Sequence, residues 1–256
     1  LTVTPNGSQK IGGTNASLNL TTEGQSVTFV YVDDTEGWKN VQDSTSNVVG
    51  EAFITATGGT ITTCGNFKIH TFTGPGTFCV SSLATSSPNN VVDYLVVAGG
   101  GSGGVRAPGN ANAGGGGGGM RYSRTTYTSP PCAPAHPIGS TTGITVTASA
   151  FPIAVGGGGA GVAPQNPGSK GNDGSVSTFS TITSAGGGKG GAGGAGVEPG
   201  GSGGSGGGSG GGVPGGSPGG TGNSPPVTPP QGNPGGRGGA TSPDQAAGGG
   251  GGAMSP

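Results

Sequence analysis

A chain of 256 residues with 66 glycines and 21 prolines, only 28% hydrophobic and 7% charged, excludes both an ordinary globular core and the highly charged kind of disorder. Its net charge of −1 and aromatic content of 5% exclude the phosphate neutralisation and base stacking that nucleic-acid binding requires, and it contains no apolar run of membrane-spanning length. Such a chain either stays flexible or packs backbone against backbone.

Residues 1–63 read as a small β domain, with short Val, Ile, Thr and Phe strands separated by PNG, GG and EG turn signals. The chain opens on Leu1, which points to a processed or trimmed start and leaves any export signal outside it. In QSVTFVYVDD, apolar residues fall on both faces of the predicted strand, so it needs cover on both sides, some of it expected from partner chains. Trp38 is read as a packing anchor after a turn rather than a sugar platform. Asp33, Asp34 and Glu36 lack the spacing of a calcium loop and are read as a solvated turn.

Residues 64–98 are predicted to form a hairpin, a polar loop and a strand that anchors the glycine-rich part. A turn about Gly74-Pro75-Gly76 would set Phe72 opposite Phe78 and Cys79 opposite Thr71. Cys64, Cys79 and Cys132 are odd in number and fit neither a zinc nor a disulfide spacing, so all are expected as free thiols. His70 and His136 lie at no recognisable spacing from a nucleophile and are read as structural. Tyr94, in VVDYLVVA, completes the expected structural anchors with Trp38, Phe72 and Phe78.

Residues 99–196 are a glycine-rich domain with three strand-like islands, at 120–129, 143–161 and 174–188. Strand running directly into glycine occurs three times, at VVDYLVVAGGG, FPIAVGGGG and STITSAGGG, which marks it as a structural device. A free glycine linker is a random coil, and ordering each residue costs about 1–2 kcal/mol. The ordered alternative is extended polyglycine in left-handed turns of three residues, close enough to its neighbours for backbone hydrogen bonds between segments. Collagen is excluded because GGSGGSGGGSGGGVPGGSPGG loses the strict triplet frame. A phosphate-binding loop is excluded too, since no helix follows AGGGSGG and no Gly-Lys-Ser/Thr occurs. Residues 197–256, rich in Gly, Pro and Ser, are expected either to remain flexible or to dock as extended polyglycine.

The ordered set VTFVYVDDTEGWKNV, ATGGTITTCGNFKIHTFTGPGTFCVSS, VDYLVVAGGGSGG, FPIAVGGGGAG and GSVSTFSTITSAGGGKGG resembles the glycine-rich domain of bacteriophage tail-fibre and virion appendage proteins. The resemblance covers roughly residues 20–195, and the chain departs from the family's pure-glycine runs at APGNANA and SPPCAPAHP. It implies a virion structural protein, usually a homotrimer, that contacts other virion proteins and a bacterial surface receptor. The expected fold is mainly β with polyglycine-II-type segments, no substantial helix, and three chains intertwined or closely packed.

Surface recognition is expected from an aromatic and basic patch of Met120, Arg121, Tyr122, Arg124 and Tyr127. No catalytic, metal or cofactor residues are expected. The acids after residue 100 are Asp173, Glu198 and Asp244, isolated from one another, which does not fit a paired-carboxylate hydrolase. Two further readings stand beside a tail fibre on the virion: a capsid decoration or head-fibre protein, and a secreted non-viral filament subunit or ice-binding polyglycine protein.

Overall fold

The computed structural model describes residues 1–21, 26–43, 53–105, 112–123, 139–164, 168–193, 199–212, 216–239 and 246–253. It is mainly β, with no α-helix among the described residues and a single short 3-10 turn at Ser87–Asn89. The chain divides into two compact units, Leu1–Ala52 and Phe53–Pro256.

In the first unit, β1 (Thr2–Val3) pairs with β2 (Leu18–Asn19), and β3 (Val27–Asp33) pairs antiparallel with β4 (Gly37–Asp43). The β3–β4 turn is held by Asp33, whose Oδ1 accepts the N–H groups of Thr35 at 2.8 Å and Glu36 at 2.7 Å. That is a side chain closing its own turn, as short acidic residues favour. Gly37 follows at φ +69°, and a Cβ there would lie 2.1 Å from the Lys10 carbonyl oxygen, so no other residue fits. The residue 10–12 segment then runs along β4, with Trp38 N–H donating to Lys10 O and Gly12 N–H to Trp38 O. Trp38 meets Tyr31 edge to face at 5.5 Å and walls an apolar groove with Ile11, Leu18, Leu20, Val27 and Phe29.

One face of β3 is half-covered at Val27 and Phe29, whereas Val30 and Val32 remain 47% and 55% exposed. Tyr31 donates its hydroxyl to the Asp34 carboxylate. This bond, together with desolvation and the nearby Asp34 and Asp33 charges, holds the phenol above its ordinary value of 10.0. A raised phenol pKa adds stability at and below the ordinary tyrosine titration, lost as pH rises through the raised value. Asp34→Asn is therefore expected to move Tyr31 down toward 10.0, read by NMR titration of its ring protons.

The second unit contains β5 (Thr55–Thr57), β6 (Thr60–Cys64), β7 (Phe67–Thr71), β8 (Gly76–Ser82), β9 (Val91–Val92), β10 (Leu95–Val97), β11 (Met120–Ser123), β12 (Gly139–Ser140), β13 (Ile144–Thr145), β14 (Ala150–Ala154), β15 (Ser177–Phe179) and β16 (Ile182–Ser184). The largest sheet has five strands in the order β16-β15-β14-β8-β5, a second has three in the order β10-β11-β12, and β6–β7 and β9–β13 form separate pairs. Residues 53–63 thus belong with the glycine-rich unit rather than with the first 52, because β5 pairs with β8 and β6 with β7.

The hairpin expected about Gly74-Pro75-Gly76 does not form. Instead, β7 pairs with β6 across Gly65-Asn66, with Cys64 opposite Phe67, while β8 pairs with β14 and β5. A two-residue Gly-Asn connection, with Gly65 at φ +56°, closes a tight hairpin that matches strand twist, whereas the longer loop is free to carry the chain into another sheet. Cys79 consequently faces Ala150 and Thr57, not Thr71, and Phe78 faces Phe151 rather than Phe72. Cys64 and Cys79 are exposed free thiols, and Cys132 lies outside the described residues.

The apolar core joins buried Ala56, Phe78, Val80, Val96, Val146 and Phe179, with Phe72, Tyr94 and Phe151 partly buried against them. Phe78 meets Phe179 edge to face at 5.9 Å and His70 at 5.0 Å. His70 donates its Nδ1–H to the Gly58 carbonyl at 2.8 Å, a structural role, while His136 lies outside the described residues. This small core is the platform from which β10, β14 and β16 run into glycine.

Candidate functional site: a glycine lattice and its exposed rim

Beyond those strands the glycine segments bond to one another with a fixed period. Ala98, Gly101 and Gly104 donate their N–H groups to Gly119, Gly116 and Ala113, while Gly99, Ser102 and Val105 donate to Ser175, Asn172 and Ser169. Each neighbour is met at every third residue, whereas a β-strand meets the same neighbour at every second. Gly187 and Gly190 donate in turn to Gly99 and Ser102 with the segments running in the same direction, so the lattice mixes parallel and antiparallel neighbours. Collagen chains, by contrast, are all parallel.

Residues 204–212 form the centre, bonded to six other segments. Gly204 donates to Gly186, Gly207 to Gly201, Gly208 to Gly114, and Gly206 and Ser209 to Asn233 and Gly236. Gly220 donates to Gly207 O, and Gly248 and Gly251 donate to Ser209 O and Gly206 O. Residues 203–211 are all buried, with no apolar side chain among them. What is buried is backbone, and its polar groups are satisfied by neighbouring backbone.

Glycine is required here by distance. A Cβ on Gly207 would lie 1.9 Å from Lys189 O, and one on Gly188 would lie 1.8 Å from Gly201 O. The lattice buries the methyls of Ala113, Ala185 and Ala192, and beside them stand a few polar side chains that are hydrogen-bonded. Ser205 Oγ–H donates to Gly118 O at 2.7 Å, and Ser209 Oγ–H donates to Ser217 O at 2.5 Å while accepting Gly238 N–H at 2.6 Å. Gln231, only 1% exposed, accepts Ala185 N–H at Oε1 (2.8 Å) and donates Nε2–H to Pro225 O (2.9 Å). Its own carbonyl accepts Met120 N–H, so one residue ties three segments together. Ser184 is the exception: its Oγ is fully buried and makes no hydrogen bond. Ser184→Ala is expected to stabilise the protein by about 1 kcal/mol, measured as a rise in melting temperature of roughly 2–4 °C.

Of the expected recognition patch, Met120, Arg121 and Tyr122 lie on β11, the middle strand of its sheet, and are half-buried. Arg124 and Tyr127 lie outside the described residues. The Tyr122 ring lies across Gly139, where a Cβ would come within 2.7 Å of Cε2. Met120 stands opposite Val97 and Tyr122 opposite Leu95, and these partners are 49% and 66% exposed. The apolar surface of the patch is therefore supplied largely by Leu95 and Val97, which the sequence places in an anchoring strand. Val96, between them, is turned into the core at 8% exposure. Strand alternation is visible in the sequence; which of its two faces is covered is not.

Among the described residues, no group of three or more His, Cys, Asp or Glu side chains converges as a metal site. Asp173 is engaged structurally, accepting Lys189 N–H at 2.8 Å.

No curated protein and no solved structure matches the chain. A family model described as "Glycine-rich domain" matches residues 71–256, well over half of its length, and spans β8, the three strand-to-glycine junctions and the lattice. The chain belongs to that glycine-rich domain family.

Proposed function

We propose that the chain is a virion structural protein, a bacteriophage tail fibre or appendage that holds recognition surfaces out toward a bacterial cell. The observation supporting this reading is the lattice itself: a module with no α-helix and no large apolar core among its described residues, held by backbone hydrogen bonds that return to each neighbour every third residue. That period fits segments of polyglycine II, and a bundle of them tolerates an irregular glycine frame. The ordered resemblance over roughly residues 20–195 supplies the phage context.

In this reading the protein is a homotrimer bound to other virion proteins, with no catalytic function and no cofactor. The exposed Val30 and Val32 of β3 and the Leu95 and Val97 face are the surfaces available to neighbouring chains or to a receptor. The test is immunogold labelling of particles from the source culture with antibody against the purified chain, combined with its solution mass by light scattering. Labels on tail fibres and a mass near three times 23.7 kDa are expected. Labels spread over the capsid would favour a decoration protein instead. Absence from every particle, with the chain recovered in secreted filaments, would overturn the virion reading.

A further inference from the structure

The lattice holds out one loop that is neither glycine-rich nor a strand: residues 223–231, NSPPVTPPQ. Both of its ends are pinned. Asn223 and Ser224 donate their N–H groups to the carbonyls of Gly204 and Gly203, in and beside the buried central segment. At the other end, Gln231 is bonded to Met120 and Ala185. Inside the loop, the Asn223 side chain accepts Val227 N–H and donates to Val227 O, both at 3.1 Å, and Gln231 Nε2–H reaches Pro225 O. The two long polar side chains of the loop are thus turned inward and occupied.

What faces outward has a different character. Pro225, Pro226, Thr228 and Pro230 are exposed, with Val227 and Pro229 half-exposed. The loop contains no charged residue and no aromatic ring, and its four prolines carry no N–H. The N–H groups of Ser224 and Val227 are already bonded within the chain. To a glycan this tip offers the exposed Thr228 hydroxyl but no aromatic platform, no charged group and no outward-facing amide side chain. Rigid proline rings instead complement aromatic side chains, and a loop already fixed in place loses little entropy on binding.

We infer that residues 224–230 form a preorganised docking tip for a protein partner with an aromatic-lined apolar groove. This follows from the loop alone and does not depend on the chain belonging to a virion. The test is an NMR titration of the isotope-labelled full chain with N-acetyltryptophanamide, standing in for a groove tryptophan, and in parallel with methyl α-glucoside. Saturable shifts of the Val227 and Thr228 amides are expected with the aromatic probe and none with the sugar. In Pro226→Ser/Pro230→Ser those shifts should fall at least about fivefold; Pro226→Ala alone gives a milder variant should the double one fold poorly. Aromatic shifts confined to the Leu95, Val97 and Tyr122 face, no saturation at the tip, or a tip response to the glucoside would each overturn the inference.

Discussion

Gly207→Ala is expected to destabilise the protein by about 3 kcal/mol or more, lowering its melting temperature by roughly 6–12 °C. The new methyl would sit 1.9 Å from Lys189 O and 2.5 Å from Lys189 C. Neither atom is the end of a flexible side chain, so the segments must part. Parting them breaks more than one contact, because residues 204–212 bond to six neighbouring segments and any shift is shared among them. Hydrogen exchange is the sharper readout. The N–H groups of Gly206, Gly207 and Gly208 should lose protection together in the variant, while those of β8 and β14 remain slow if the apolar core opens separately. Gly157→Ala is the matched control. Nothing lies within 4 Å of a Cβ built there, and its backbone is outside the left-handed region, so a change within about 0.5 kcal/mol is expected. If the two variants melted alike, the lattice would not be a close-packed element.

Gln231→Ala should cost about 3 kcal/mol, from a different cause. The side chain is buried and both of its hydrogen-bond partners are backbone groups, so its loss leaves Ala185 N–H and Pro225 O unpaired. A buried polar group left unpaired costs more than the hydrogen bond that satisfied it contributed. Gln231→Leu restores volume but neither bond, so it should recover less than half of the loss in thermal melts. Both variants should also speed exchange of the Val227 N–H, since Gln231 fixes one end of the 223–231 loop. Recovery of full stability by Leu would show that Gln231 acts through packing alone.

These two residues also mark where sequence reading succeeds and stops. That Gly207 lies in a run with no side chains to pack is plain from composition, and so is the conclusion that any order there must come from backbone bonded to backbone. Gln231, in a Pro-rich stretch, carries no periodic signal at all; it becomes a tie between distant segments only because β16, β11 and residues 223–231 meet. The same limit explains the misplaced hairpin. Gly65-Asn66 and Gly74-Pro75-Gly76 are both sound turn signals, and local chemistry does not say which of them keeps its flanking strands together. Ala150–Ala154, some seventy residues further on, competes for β8 and wins it by burying Phe151 and Phe179 against Phe78.

What the sequence determined by itself is the building material: short strands that run into glycine, no helix, and too few apolar residues for more than a small core. These follow from residue type and spacing, which act over a few residues. Only the tertiary structure decided which segments are neighbours, that residues 204–212 lie at the centre of the lattice, and that Leu95 and Val97 face outward while Val96 faces in. Glycine imposes no preference among neighbours, since every face of the segment is alike. The choice falls instead to the few strands and polar side chains that set each segment's entry and register.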